Sequence, residues 1–164
     1  MKHLIIMVLF MIVIIQMTNI STVVLPVAAK QQEEELNTLR NAAIKVGIGN
    51  PGTKVINAVT VASSQTGLSQ EFLLALTYTE SMFKKNAISS KNYKGLLQIP
   101  HNVFYEDANI LIGARIFLEK LVITKGNYRN AIILFKGWPL DDPKGRREAD
   151  KVITLTSKLK REII

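Results

Sequence analysis

Residues 69–83 read Ser69-Gln70-Glu71-Phe72-Leu73-Leu74-Ala75-Leu76-Thr77-Tyr78-Thr79-Glu80-Ser81-Met82-Phe83, and their spacing decides the fold. Ser69 is a residue type that caps a helix start, and Gly67 is one that ends the helix before it. The apolar residues between recur at helical intervals, which predicts a helix over residues 70–83. On that helix Glu80 shares a face with Leu76, Leu73 and Phe72 at i−4, i−7 and i−8, so one carboxyl stands at the end of an apolar stripe. Desolvation there disfavours the carboxylate and raises its pKa, as a general acid near neutral pH requires. Helix-end glutamates are also commonly solvated, and this stretch alone leaves both readings open.

Working outward, residues 30–46 open with Gln31-Gln32-Glu33-Glu34-Glu35 and then place Leu36, Leu39, Ala43 and Val46 at helical spacing. A Gly/Asn/Pro-rich loop covers residues 47–52. Thr53 is the expected cap of a helix over residues 53–64, with Val55, Ile56, Val59 and Val61 as core positions. Downstream, helices are expected over residues 107–122, 128–135 and 146–162, separated by Gly126 and a turn at residues 139–145. No segment alternates as a strand does, although residues 95–99 have the composition of a short extended piece. The chain reads as mainly α, with residues 30–164 forming one domain.

The leader is different in kind. Residues 4–15 are an unbroken apolar run behind Lys2, and Pro26-Val27-Ala28-Ala29 puts small residues before Lys30. This is the layout of a secretory signal peptide over residues 1–29. The alternative is an uncleaved N-terminal membrane anchor, because the apolar run alone is too short for roughly 30 Å of hydrocarbon but residues 17–29 extend it. Either way the remainder is exported, to the periplasm or cell envelope.

The whole chain of 164 residues carries +8, and losing residues 1–29 removes Lys2 but no acid, leaving +7. An exported basic protein meets anionic envelope polymer or lipid headgroups rather than nucleic acid. Plain solubility is an equally simple account of the charge. With no cysteine and only His3 and His101, disulfide scaffolds, Cys/His zinc sites and thiol nucleophiles are excluded. The chemistry falls to carboxylates, hydroxyls and cations, with no metal and no cofactor expected. Residues 47–52 spell a dinucleotide-type glycine fingerprint, but an amphipathic helix precedes them where such a loop needs a buried strand. A near phosphate-loop over residues 47–54 fails as well, because Thr53 precedes Lys54.

Past Glu80-Ser81 come Asn86-Ala87 and Ser89, and then Gly95-Leu96-Leu97-Gln98-Ile99. With Ala75-Leu76 ahead of Glu80-Ser81, this order of motifs resembles the soluble lytic transglycosylase family, which is related to goose-type lysozymes. Asn109-Ile110, Gly113-Ala114 and Phe117-Leu118 resemble that family's next helix, and residues 131–139 its Ala-x-x-x-Tyr-Asn-x-Gly segment. The resemblance covers residues 57–139 and implies a lysozyme-like single domain. The activity it implies is cleavage of the β-1,4 bond from N-acetylmuramic acid to N-acetylglucosamine in peptidoglycan, leaving a 1,6-anhydromuramyl end.

By the same resemblance Glu80 is the catalytic acid and base, Ser81 orients it, and Leu97, Gln98 and Phe135 contact the glycan strand. A single carboxylate then suffices, because the substrate's own C6 hydroxyl is the nucleophile, unlike the two-carboxylate glycosidases. Glu106, Asp107, Asp141 and Asp142 are the candidates for any second role. An envelope-spanning secretion or conjugation assembly is a further expected partner, with residues 4–29 as a membrane tether. The other readings are a hydrolytic muramidase and a non-catalytic peptidoglycan-binding or scaffold protein.

The chain departs from the family's pattern at several positions. Phe135-Lys136 stands where the family has Tyr-Asn, so a hydroxyl is missing and a cation is added. If Lys136 points at Glu80 it lowers the acid's pKa, and if it points outward it suits a stem-peptide carboxylate. Leu97 stands where Met is usual, and Pro100 follows Ile99 one residue early.

Overall fold

The computed structural model describes residues 30–31, 33–100 and 102–163, so the expected leader lies outside the described residues. The chain divides into two units, Met1–Asn37 and Thr38–Ile164. In the first, the described residues are helical. The second opens with helical residues 38–45 and continues through α1 (Gly52–Thr66), α2 (Gln70–Ser81), α3 (Glu106–Ile123), α4 (Tyr128–Phe135) and α5 (Pro143–Ile163). Among the described residues there is no strand, only isolated antiparallel bridges from Lys94 to Ile88 and to Ile99. No described helix is long and apolar enough to cross a membrane.

Local chemistry explains the boundaries. Ser69 Oγ accepts from the Phe72 N–H at 3.3 Å and starts α2, while Gly67 at φ 72° closes α1 through a bond to Ser63 O. Each such cap contributes on the order of 1 kcal/mol. Thr53 is not the cap expected of it: α1 starts earlier, with Pro51 at the cap position, and the Thr53 hydroxyl accepts from Arg40 at 3.0 Å. The stretch read as a turn at residues 139–145 is partly helix. Asp142 Oδ1 accepts from the N–H groups of Lys144 and Gly145 at 2.7 and 3.0 Å, and Pro143 enters the first turn, where it needs no N–H partner.

In the Thr38–Ile164 unit α1 packs on α3, α2 on α5, and α4 between α3 and α5. Leu73, Leu74, Leu76, Leu96, Leu97, Ile110, Phe117 and Ile132 are fully buried, and each contributes about 1.5–3 kcal/mol of apolar burial. Val55, Ile56 and Val59 join the core as their spacing predicts, but Val61 is 45% exposed. Ala58 and Ala62 take the remaining buried positions of α1. Residues 47–51 are a turn from helix to helix, with Gly52 already the first residue of α1 and no strand before them.

Candidate active site

Helix α2 ends immediately beyond Glu80. Met82 and Phe83 both take left-handed backbone, at φ 51° and 62°, and the Met82 N–H closes the helix on Tyr78 O. A non-glycine residue in that region costs about 1–2 kcal/mol. Four of the five described non-glycine residues with positive φ fall between Met82 and Gln98, so backbone strain is concentrated in the segment that follows Glu80.

Leu73, Leu76 and Phe72 are all buried, as the apolar stripe predicts, and the Glu80 side chain is 13% exposed. Its nearest partner is Lys136, whose Nζ lies 2.6 Å from Oε1 and whose own side chain is 7% exposed. Oε1 is fully buried and, apart from this ion pair, has no hydrogen-bond partner. Of the two directions open to Lys136, the structure shows the inward one.

Burial is the largest influence on Glu80 and raises its pKa above the ordinary value of 4.5. The Lys136 ammonium lowers it by charge and close approach, and Glu148 on α5 raises it. Burial prevails, so the carboxyl titrates above the usual glutamate range even beside a cation. Glu148 is pulled the other way, chiefly by Lys151, whose Nζ lies 2.7 Å from its Oε1.

The loop and turn beyond α2 are joined at one carbonyl. Ala87 O accepts from the Gly95 N–H at 2.9 Å and from Gln98 Nε2 at 3.1 Å, and the same amide also donates to Gly95 O at 2.7 Å. Residues 95–98 are a tight turn rather than the extended piece expected. Lys94 and Ile99 exchange backbone bonds across it at 3.0 and 3.1 Å. Buried Asn109 on α3 fixes the turn from behind, accepting from the Leu97 N–H at 2.8 Å and donating to Lys94 O and Val103 O at 3.0 and 2.7 Å.

The expected site residues divide into two sets. Glu80 is tied to Lys136, next in sequence to Phe135, whose half-buried ring stands 6.1 Å from the Phe117 ring in edge contact. Leu97 and Gln98 are tied to the 84–94 loop and α3. Two expectations need correction. The Leu97 side chain is fully buried and fills the space left by Gly113, where a Cβ would lie 2.6 Å from Leu97 Cδ1; it is core, not an open groove wall. Ser81 is buried and its hydroxyl donates to Thr77 O at 3.2 Å, one turn back, rather than to Glu80.

Three of the four spare carboxylates have structural partners, and the fourth lies at a surface cavity. Glu106 pairs with Lys85 at 3.8 Å, Asp107 bonds the Ala108 N–H, Asp142 caps α5, and Asp141 lines a surface cavity with Arg129 and Arg146. The carboxylate that acts on Glu80 is Glu148, which the sequence reading passed over because nothing in α5's pattern sets it apart. Trp138, the chain's one tryptophan, lies two residues beyond Lys136, and Lys144 from α5 and Lys91 from the 84–94 loop stand 4.9 and 5.8 Å from its ring centroid. Among the described residues, no group of three or more His, Cys, Asp or Glu side chains is placed to hold a metal ion.

Residues 57–121 match the transglycosylase SLT domain family. The matched stretch takes in Glu80, Ser81, Leu97, Gln98 and Asn109 and ends before Phe135, Lys136 and Trp138, so it is shorter than the resemblance read from the motifs. The mainly helical architecture agrees with that family, whose general activity is lytic transglycosylation of peptidoglycan. No curated protein and no solved structure matches the chain significantly.

Proposed function

We propose that this chain, a member of the transglycosylase SLT family through residues 57–121, is an exported or membrane-tethered enzyme that cleaves peptidoglycan glycan strands. It cuts the β-1,4 bond from N-acetylmuramic acid to N-acetylglucosamine and leaves a 1,6-anhydromuramyl end. The observation that carries the reading is Glu80, a buried carboxyl at a helix end inside the matched stretch, with its pKa raised by desolvation.

In this scheme protonated Glu80 gives its proton to the glycosidic oxygen as the bond to C1 breaks. The resulting carboxylate then takes the proton of the muramyl C6 hydroxyl while that oxygen bonds to C1, returning Glu80 to its starting form. With Oε1 buried against Lys136, Oε2 is the oxygen that meets the substrate. Gln98, whose amide hydrogens are spent on Ala87 and Gly95, presents Oε1 to a sugar hydroxyl or acetamide N–H. Leu97 contributes through its fixed backbone, Phe135 as an apolar wall, and Ser81 through the helix end that carries Glu80.

Digestion of purified sacculi by the wild type and by Glu80→Gln tests the proposal. The wild type is expected to release 1,6-anhydromuropeptides, and the variant to lose about 10²–10⁴-fold in rate, the contribution typical of a general acid. Reducing muramic ends would instead mean a muramidase using water. A non-catalytic wall-binding protein is the second reading, favoured by the ammonium that Lys136 places on Glu80. It requires sacculi that bind the protein and remain intact.

A further inference from the structure

The Glu80–Lys136 pair differs from an exposed ion pair in how it is held. Lys136 is the C-terminal cap residue of α4, and its N–H bonds to Ile132 O and Leu134 O. Helix α4 is itself anchored by buried Ala131, Ile132 and Ile133. The backbone at both ends is therefore fixed by the fold, and a buried ammonium meets a carboxylate oxygen that has no other partner. Leaving either charge alone in such a place costs several kcal/mol per ion.

We infer that Lys136 is a positioning residue: its ammonium holds Glu80 by Oε1 and turns Oε2 to the substrate. This rests on the reading of Glu80 as general acid. The Lys136 ammonium stabilises the carboxylate that forms when Glu80 protonates the leaving oxygen, and so favours that step at the cost of the fraction of Glu80 that is protonated beforehand.

The charged groups acting on Glu80 come from two sides, Lys136 after α4 and Glu148 on α5, with Lys151 and Lys144 in turn drawing on Glu148. Removing Lys136 takes away the cation that lowers Glu80 and leaves burial and Glu148, both of which raise it. The carboxyl then stays protonated to higher pH.

The test compares sacculus digestion against pH for wild type, Lys136→Met and Lys136→Arg, with the Glu80 side-chain carboxyl titrated by carbon NMR in each. A cation this close shifts a carboxyl by about 1–3 pH units, so Lys136→Met is expected to move the high-pH limb of kcat upward by that much. The Glu80 titration is expected to move with it, while Lys136→Arg stays near the wild type. A neutral variant whose limb and titration coincide with the wild type's, while the wild type digests sacculi, overturns the role of Lys136 alone. Sacculi left intact by the wild type at every pH overturn the enzymatic reading and the role of Lys136 together. Lys136→Asn is the second neutral variant, used if the Met variant does not fold.

Discussion

The side-chain amide of Asn109 fills the space that a Cβ on Gly95 would need: built there, the Cβ would lie 2.2 Å from Nδ2 and 2.7 Å from Cγ. Two elements far apart in sequence are thus fitted to each other through one missing methyl group. Gly95 sits at φ 80°, a conformation only glycine adopts cheaply, and Asn109 uses the vacated space to bind three backbone groups of the turn and its flank.

Gly95→Ala is therefore expected to destabilise the protein by about 2–4 kcal/mol, combining left-handed strain with overpacking. Asn109→Ala should cost a similar amount, because the buried Leu97 N–H loses its acceptor. Thermal melts should show both falling by roughly 6–16 °C. The double variant should cost less than the two losses added, since the alanine methyl at position 95 then enters space the asparagine has left. Strict additivity would refute the coupling.

The pH dependence of stability follows from Glu80. Its folded pKa is raised, so the folded state holds the proton more tightly than the unfolded chain does. Stability from this group is full below the unfolded value of about 4.5 and falls as pH rises towards the folded pKa, above which the loss is complete. Urea titrations of wild type and Glu80→Gln should show the wild type losing stability relative to the variant as pH rises through that window. A difference that grows in the opposite direction would mean that Lys136, rather than burial, dominates the carboxyl.

Much of this site is legible in the sequence because its parts lie on short, regular elements. Helix α2, its Ser69 cap and the burial of Leu73, Leu76 and Phe72 below Glu80 follow from spacing alone. What spacing does not carry is direction at a helix end. Lys136 follows α4, and whether its stem folds inward depends on how α4 docks between α3 and α5, which no local pattern encodes. Glu148 is likewise one acid among many charges on α5 until α2 packs against that helix. Motif position suggests roles for Ser81 and Leu97 that their contacts do not bear out: the Ser81 hydroxyl bonds back to Thr77 O within its own helix, and Leu97 fills the hollow above Gly113.

Ser81→Ala separates those accounts. A hydroxyl bonded to the carbonyl one turn back adds little to a helix, so alanine should change stability by less than about 1 kcal/mol. If Ser81 does not hold Glu80, sacculus digestion by the variant should stay within a few-fold of the wild type across the pH range. A loss comparable to that of Glu80→Gln would show that the hydroxyl turns to the carboxyl once substrate is bound.

Phe135→Tyr asks what the missing hydroxyl is worth. The Phe135 ring meets Phe117 edge-on and is half-buried, so a phenol can be added without opening the aromatic cluster. Position 135 adjoins Lys136, whose ammonium already occupies Glu80 Oε1. In a chain that keeps Lys136, the new hydroxyl competes with a charged donor and should change the rate by less than about threefold, since a neutral hydrogen bond is worth roughly half a charge-assisted one. Combined with Lys136→Asn, the same tyrosine meets a carboxyl that has lost its cation. It should then supply the donor Glu80 lacks and raise the rate several-fold above Lys136→Asn alone. Steady-state digestion rates of the two single variants and the double variant measure this coupling directly. Equal effects of the tyrosine in both backgrounds would mean that position 135 and Lys136 do not share Glu80.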